Sequence, residues 1–231
     1  MSQRHYPKGA AKRLEILDAA LEVFSLDGYR ATSLRRVAER VNLTPAGIMH
    51  YFNSKEQLLS SVLQHRDALD ICAVDPDKPT NPVDALAEVM DANMKVPGLV
   101  ELYLTIAGAA IDESHPAHEY LVRRYHWLTG GLTSWIEEMA RAGLVPQVVF
   151  PAGVATAIVA QADGIQFQWL LDQSIDMGVH VRRGGRRLLG LPFDEPIPQL
   201  SRPWTLRRAL ANYPISELTK QRVDEARGSQ R

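Results

Sequence analysis

The chain has 231 residues, 45% hydrophobic and 23% charged, enough for one large domain or for a small module attached to a bigger one. A single cysteine, Cys72, excludes an internal disulfide framework and fits a reducing compartment, so a cytoplasmic protein is expected. The net charge is only −1, yet residues 1–66 hold ten Lys/Arg against six Asp/Glu, residues 67–176 five against sixteen, and residues 177–231 eleven against five. A basic start joined to an acidic middle points to a polyanion-facing module beside a body with another task.

Met1 to Ala11 is polar and basic, without an apolar segment or a small-residue cleavage site. It reads as an N-terminal arm and not as a secretory signal. Ala142 to Ala162 carries no charged residue over 21 positions, close to what a bilayer core requires. Pro146 and Pro151 with Gln147 between them make it a turn followed by a buried helix start instead.

Leu14, Leu17, Leu21 and Phe24 recur at three- and four-residue steps and predict a first helix ending at Asp27-Gly28, with Gly28 in the left-handed closing position. Thr32 opens a short second helix with Leu34, Val37, Ala38 and Val41 on one face and Arg35, Arg36, Glu39 and Arg40 largely on the other. Asn42 and Leu43 form a tight bend, because Asn tolerates the left-handed conformation. Thr44-Pro45 then restarts a helix with a capping hydroxyl and a first-turn proline. Ile48 and Phe52 point inward from this third helix, Asn53-Ser54 breaks it, and Ser54-Lys55-Glu56-Gln57 is a capping box for a fourth helix through Leu58, Leu59, Val62 and Leu63. Capped helices with a three-residue bend between the second and third make a helix-turn-helix motif on a support helix, assigned to a domain at 1–66 with an arm at 1–11.

A Pro/Asp-rich link at Asp75 to Pro82 leads into longer helices, the body of a second domain at 67–190. Val83 to Val96, a central Leu99 to Ile111, His118 to Ala142 with a bend at Gly130-Gly131, and Ala152 to Leu171 are the predicted helices. A weak helix after Asp176 is expected to be interrupted at Gly184-Gly185. Residues 191–231 form a Pro-rich extension, an extended arm with short helices at Trp204 to Leu210 and Ile215 to Val223. The fold class is all-α: an N-terminal three-helix helix-turn-helix domain followed by a larger helical bundle.

From Thr32 to Lys55 the sequence TSLRRVAERVNLTPAGIMHYFNSK resembles the DNA-binding domain of the TetR family of bacterial regulators. The resemblance covers about Leu14 to Arg66, with Phe24 to Tyr29 and Tyr51 to Glu56 as its diagnostic pieces, and Asp163 to Met177 is similar to the C-terminal domains of some actinobacterial members. It implies a homodimer that binds a palindromic operator in double-stranded DNA, with half-sites about 34 to 36 Å apart, and releases it on binding a small-molecule effector. It implies that the helix Thr44 to Tyr51 enters the major groove, with Thr44 touching phosphate. Pro45, Ala46 and Gly47 would approach base edges and read shape and thymine methyls, and His50 would be the polar reader. Tyr51 and Lys55 would contact backbone phosphate, and Arg35 a phosphate or a guanine. Met49 departs from the family's usual tyrosine, so one phosphate donor is missing. Arg4, Lys8, Lys12 and Arg13 precede the first helix as candidate arm contacts, or as a solvated basic tail. The last two bundle helices are implied as the dimer interface.

Met90, Met94, Tyr103, His126, Trp127, Gln161, Gln166 and Trp169 are of the types that line an apolar pocket with a few polar anchors, and each also has a core-packing reading. His115 and His118 share a helix face, yet Pro116 between them and the lack of a Cys or Asp partner argue for helix initiation and against a metal. Arg182, Arg183, Arg186 and Arg187 read as a solvated helix face or a nucleic-acid contact. No cofactor is expected. A helical enzyme is the distant alternative: nucleophile elbow, HExxH, phosphate-binding glycine loop and clustered carboxylates are all lacking. A transcriptional activator or a ligand-independent regulator of the same fold is the nearer one.

Overall fold

A computed structural model describes residues 8–31, 33–73, 80–147, 150–193 and 195–205. Among these residues the chain forms α-helices and no strand: α1 (Lys8–Ala31), α2 (Leu34–Arg40), α3 (Pro45–Met49), α4 (Lys55–Ala73), α5 (Pro82–Asn93), α6 (Pro97–Ala109), α7 (His118–Arg141), α8 (Pro151–Leu171) and α9 (Met177–Leu188). None of the described helices is long and apolar enough to cross a membrane. The helices pack into two compact units that do not follow chain order: α1–α4, α6 and the start of α7 to Leu121 in one, and α5, the rest of α7, α8 and α9 in the other.

In the first unit α1 is buried on two sides. The predicted stripe of Leu14, Leu17 and Phe24 is in the core, and so are Ile16, Ala20 and Val23, because α6 packs along α1 as well as α2 and α4. Burial at this level removes each side chain from water at about 25 cal/mol per Å² of apolar area. α1 does not stop at Gly28 but continues to Ala31. α2 is capped by Ser33, whose side chain accepts the Arg36 N–H, one residue later than the expected Thr32, which lies outside the described residues.

In the second unit Val83 of α5, Leu132, Trp135, Ile136 and Met139 of α7, and Ala155 and Ile158 of α8 form the core. Asn81 caps α5 by accepting the Asp84 N–H at 2.9 Å. Gly130-Gly131 does not interrupt α7, which is one helix across it. Nor does Gly184-Gly185 interrupt α9. There the glycines serve close approach: a Cβ on Gly184 would fall 2.0 Å from the Gln161 amide, and one on Gly185 would fall 2.5 Å from the Val83 side chain. Arg182 donates to Asp91 at 2.6 Å across the same α5–α9 seam, and that hydrogen bond holds its guanidinium pKa above the ordinary value. Left-handed Gly190 (φ 71°) closes α9, with Leu191 N–H donating to the Arg186 carbonyl at 2.9 Å.

The segment after α9 is irregular and extended to Thr205, as expected of its prolines. Ile197 is buried, and Leu191, Leu200 and Trp204 pack against the second unit's core. The Trp204 carbonyl accepts the Thr80 N–H at 3.1 Å in an isolated antiparallel bridge, so Trp204 does not open a helix here. Residues 8–11, expected in the arm, belong to α1 instead; the first seven residues of the arm and the predicted C-terminal helix residues beyond Thr205 lie outside the described residues.

Candidate nucleic-acid interface

The bend between α2 and α3 is built as its sequence predicts. Asn42 takes a left-handed conformation (φ 53°), and Leu43 N–H returns to the Ala38 carbonyl at 2.9 Å, which closes α2 in a Schellman arrangement. Thr44 then accepts the Gly47 N–H at 3.0 Å, and Pro45 fills the first turn, where no amide hydrogen is needed. α3 is thus fixed at its entry. Ile48 and Phe52, each 0% exposed, anchor it from below. Thr44, Pro45, Ala46 and His50 are exposed on it, with Gly47, Met49 and Tyr51 partly so.

Two basic residues assigned to an arm prove to be structural. Arg13 lies inside α1 and donates to the Tyr51 carbonyl at 2.5 Å and to the Ser61 hydroxyl at 3.2 Å, with its guanidinium 4.0 Å over the Phe52 ring. Burial pushes its pKa down, and the ring face and carbonyl replace part of the lost water. It therefore ties the exit of α3 to α1 and α4. Lys12 similarly donates to the Val41 carbonyl at 2.8 Å, where a cation suits the C-terminal end of α2, and pairs with Glu15. The missed signal was spacing: Arg13 falls in register with Leu17, Ala20 and Phe24 on the buried side. Arg13→Met is expected to cost about 2–3 kcal/mol of stability, because it leaves a part-buried carbonyl unpaired; urea unfolding measures this.

The start of α4 is equally well fixed. Gln57 N–H donates to the Ser54 hydroxyl at 3.0 Å, the first half of the expected capping box, while the Gln57 side chain accepts the Asn53 N–H at 2.6 Å, one residue before the cap. Exposed Lys55 is the first residue of α4. Beside it, the Glu56 carboxyl is held below its ordinary range by its own backbone N–H at the helix start, and then by the Ser54 hydroxyl. His50 and Tyr51 meet edge to face, with centroids 5.7 Å apart. The candidates from Thr44 to Lys55 therefore sit on one rigid helix–turn–helix segment. Arg35 lies on α2 and is paired with Glu39 at 3.0 Å; both are mostly solvent-exposed, at 82% and 63%. Such a pair is worth at most about 1 kcal/mol, so phosphate can displace the carboxylate.

The pocket candidates fall in both units. Tyr103 belongs to the core of the first unit, whereas the other seven lie in the second. Within the second unit Met90 and Trp169 are core, Met94 and Trp127 are half-buried, and His126 is exposed. Gln161 donates to the His180 carbonyl at 2.9 Å; Gln166 donates to the Ala162 carbonyl and accepts from Asn93 at 3.2 Å. His115 accepts the Ala117 N–H at 3.1 Å, and His118 sits 2.9 Å from the Ala110 carbonyl, so both organise the turn that starts α7. Arg182 and Arg186 face Asp84 and Asp91 of α5, while Arg183 and Arg187 are exposed.

The profile of the family described as "Bacterial regulatory proteins, tetR family" matches residues 16–62, the segment that contains this motif. The HTH-type transcriptional repressor KstR2 of Rhodococcus jostii is 28% identical over 108 residues, 47% of this chain and 47% of that protein. The HTH-type transcriptional regulator RutR of Escherichia coli is 42% identical over 62 residues, 27% of this chain and 28% of its own length. The chain thus spans half or less of the length of these curated relatives. Salmonella enterica GusR shares the fold at a TM-score of 0.57 and 20% identity, over 82% of this chain and all of that one.

Proposed function

From a chain that belongs, through its residues 16–62, to the TetR family of bacterial regulatory proteins, we propose a cytoplasmic, non-enzymatic repressor that binds a palindromic operator as a homodimer and leaves it when a small molecule binds. The observation that carries this reading is α3, a short rod anchored by fully buried Ile48 and Phe52 with Thr44, Pro45, Ala46 and His50 turned to solvent. A rod so braced presents its base-facing atoms without an ordering cost at the moment of binding. DNA binding is assigned to residues 1–66. Effector binding and dimerisation are assigned to 67–190, with 191–231 as an extension.

Dimerisation is placed on α8 and α9. Ala160, Gly164, Phe167 and Leu171 recur at helical spacing along α8 and are exposed, Phe167 at 58% and Leu171 at 76%, and exposed Val179 follows on α9. An apolar stripe left in water marks a surface that a second copy covers.

Within the interface, Tyr51 and Lys55 supply phosphate contacts and His50 a base contact, with small Pro45, Ala46 and Gly47 allowing close approach. The test is selection of bound fragments from random duplex DNA, followed by titration at several salt concentrations. Tyr51→Ala and Lys55→Ala are each expected to weaken binding to all sequences; loss of the lysine cation from both subunits should also flatten the dependence of log K on log salt by about 1.8, whereas loss of the neutral tyrosine should leave that slope nearly unchanged. His50→Ala should instead change base preference at one position of each half-site. Unchanged affinity in both phosphate-site variants would overturn these roles.

A further inference from the structure

The outer face of α3 is divided by chemistry along its length. Ile48 and Phe52 turn into the core, which leaves Pro45 and Ala46 exposed on the first turn and Met49 half-exposed next to exposed His50. Pro45, Ala46 and Met49 offer a ring, a methyl and a thioether, with no side-chain donor and only a weak acceptor in the sulfur. The Thr44 hydroxyl at the entry already accepts the Gly47 N–H at 3.0 Å, and Gly47 has no side chain to offer. From Pro45 to His50, the histidine is thus the one side chain equipped for a strong hydrogen bond to a base. Its ring stands edge to face with Tyr51, centroids 5.7 Å apart.

In the major groove an A·T and a G·C pair each present two acceptors and one donor, so the polar cost of covering them with apolar side chains is alike. What such side chains do distinguish is a methyl group at pyrimidine C5, whose burial is worth about 4-fold in affinity. Cytosine that carries a 5-methyl puts this group where thymine does, although its partner is guanine. An unbranched thioether suits the task, because it adapts its rotamers to where the methyl lies. We propose that Pro45, Ala46 and Met49 form a reader of pyrimidine C5-methyl groups, which recognises thymine and 5-methylcytosine alike at the base pairs they cover, with Met49 setting the preference. An operator with cytosine at such a position is then bound well only once that base is methylated. The inference rests on α3 facing the duplex, as proposed above, and adds what the helix reads there.

The probe is the duplex recovered by selection from random DNA, resynthesised at each thymine in turn and in both half-sites with thymine, uracil, 5-methylcytosine or cytosine, the last two opposite guanine. Titration of the intact chain is expected to give, for at least one thymine of each half-site, similar affinity for the two methylated bases. The two bases without the methyl should bind about 15-fold more weakly, about 4-fold for each half-site. In Met49→Ala the gap between thymine and uracil at that position should close to within about 4-fold. Uracil bound as well as thymine at every position, 5-methylcytosine bound as weakly as cytosine at every position, or a recovered site without thymine overturns the proposal. An unchanged gap in a Met49→Ala protein that unfolds cooperatively overturns the role of Met49. A chain that binds none of the random duplexes fails the operator reading itself, and this proposal with it.

Discussion

Ala46→Asp is expected to abolish operator binding, by 100-fold or more, while leaving the protein as stable as before or slightly more so. The two effects have opposite signs because they come from different neighbours. Ala46 is exposed in the first turn of α3, just after Pro45. A carboxylate there faces the unpaired amides and the positive end of the helix, a favourable placement worth about 0.3–1 kcal/mol in the free protein. Against DNA the same carboxylate meets phosphate charge and thymine methyls, and it must give up its water without a partner. A 100-fold loss corresponds to about 2.7 kcal/mol, well within the cost of an uncompensated charge at an interface. Thermal unfolding and a binding titration on the same sample separate the two quantities. Retained affinity would show that α3 does not face the duplex.

Gly185→Val should destabilise the second unit by about 2–4 kcal/mol, with Gly131→Ala as its counterweight. At Gly185 a new Cβ would sit 2.5 Å from the side chain of Val83, which is itself fully buried, so one helix must move away from the other. Overpacking of that kind costs on the order of 1–3 kcal/mol before further losses across the seam, where Arg182 and Arg186 reach Asp91 and Asp84. At Gly131 an added Cβ meets nothing within 4 Å, and the residue lies inside a continuous helix. Alanine there should stabilise by about 0.5–1 kcal/mol through helix propensity alone. Urea midpoints for the two variants should therefore move in opposite directions, and a neutral Gly185→Val would mean that α5 and α9 do not meet as closely as described.

These glycines also show where sequence reasoning reaches and where it ends. Local chemistry was readable: the Thr44 cap, the left-handed Asn42 and the Ser54 cap of α4 depend on neighbours within four residues, and all appear as expected. Glycine is ambiguous by comparison, since the same residue that loosens a helix also lets another helix come close. Only the partner, Val83 about a hundred positions away in sequence, decides which applies at Gly185. The second buried side of α1, Ile16, Ala20 and Val23, was missed for a related reason: α6 is distant in the chain, and one apolar stripe satisfies a helical pattern before a second is sought. A charge near a terminus suggests an arm contact or a solvated tail, whereas the register of Arg13 with Leu17 sets it against Phe52. Of the candidate DNA-facing set, residue types and order were legible, whereas the bracing beneath them was not.

The pairing of Arg35 with Glu39 bears on how such a protein would search a chromosome. An arginine that must surrender a carboxylate before taking up a phosphate gains little from any random stretch of duplex, since one ionic partner is exchanged for another. Sliding encounters then stay brief. More of the total attraction is left to steps where shape and base edges also match, so fewer copies are held at the millions of irrelevant positions that compete with one operator.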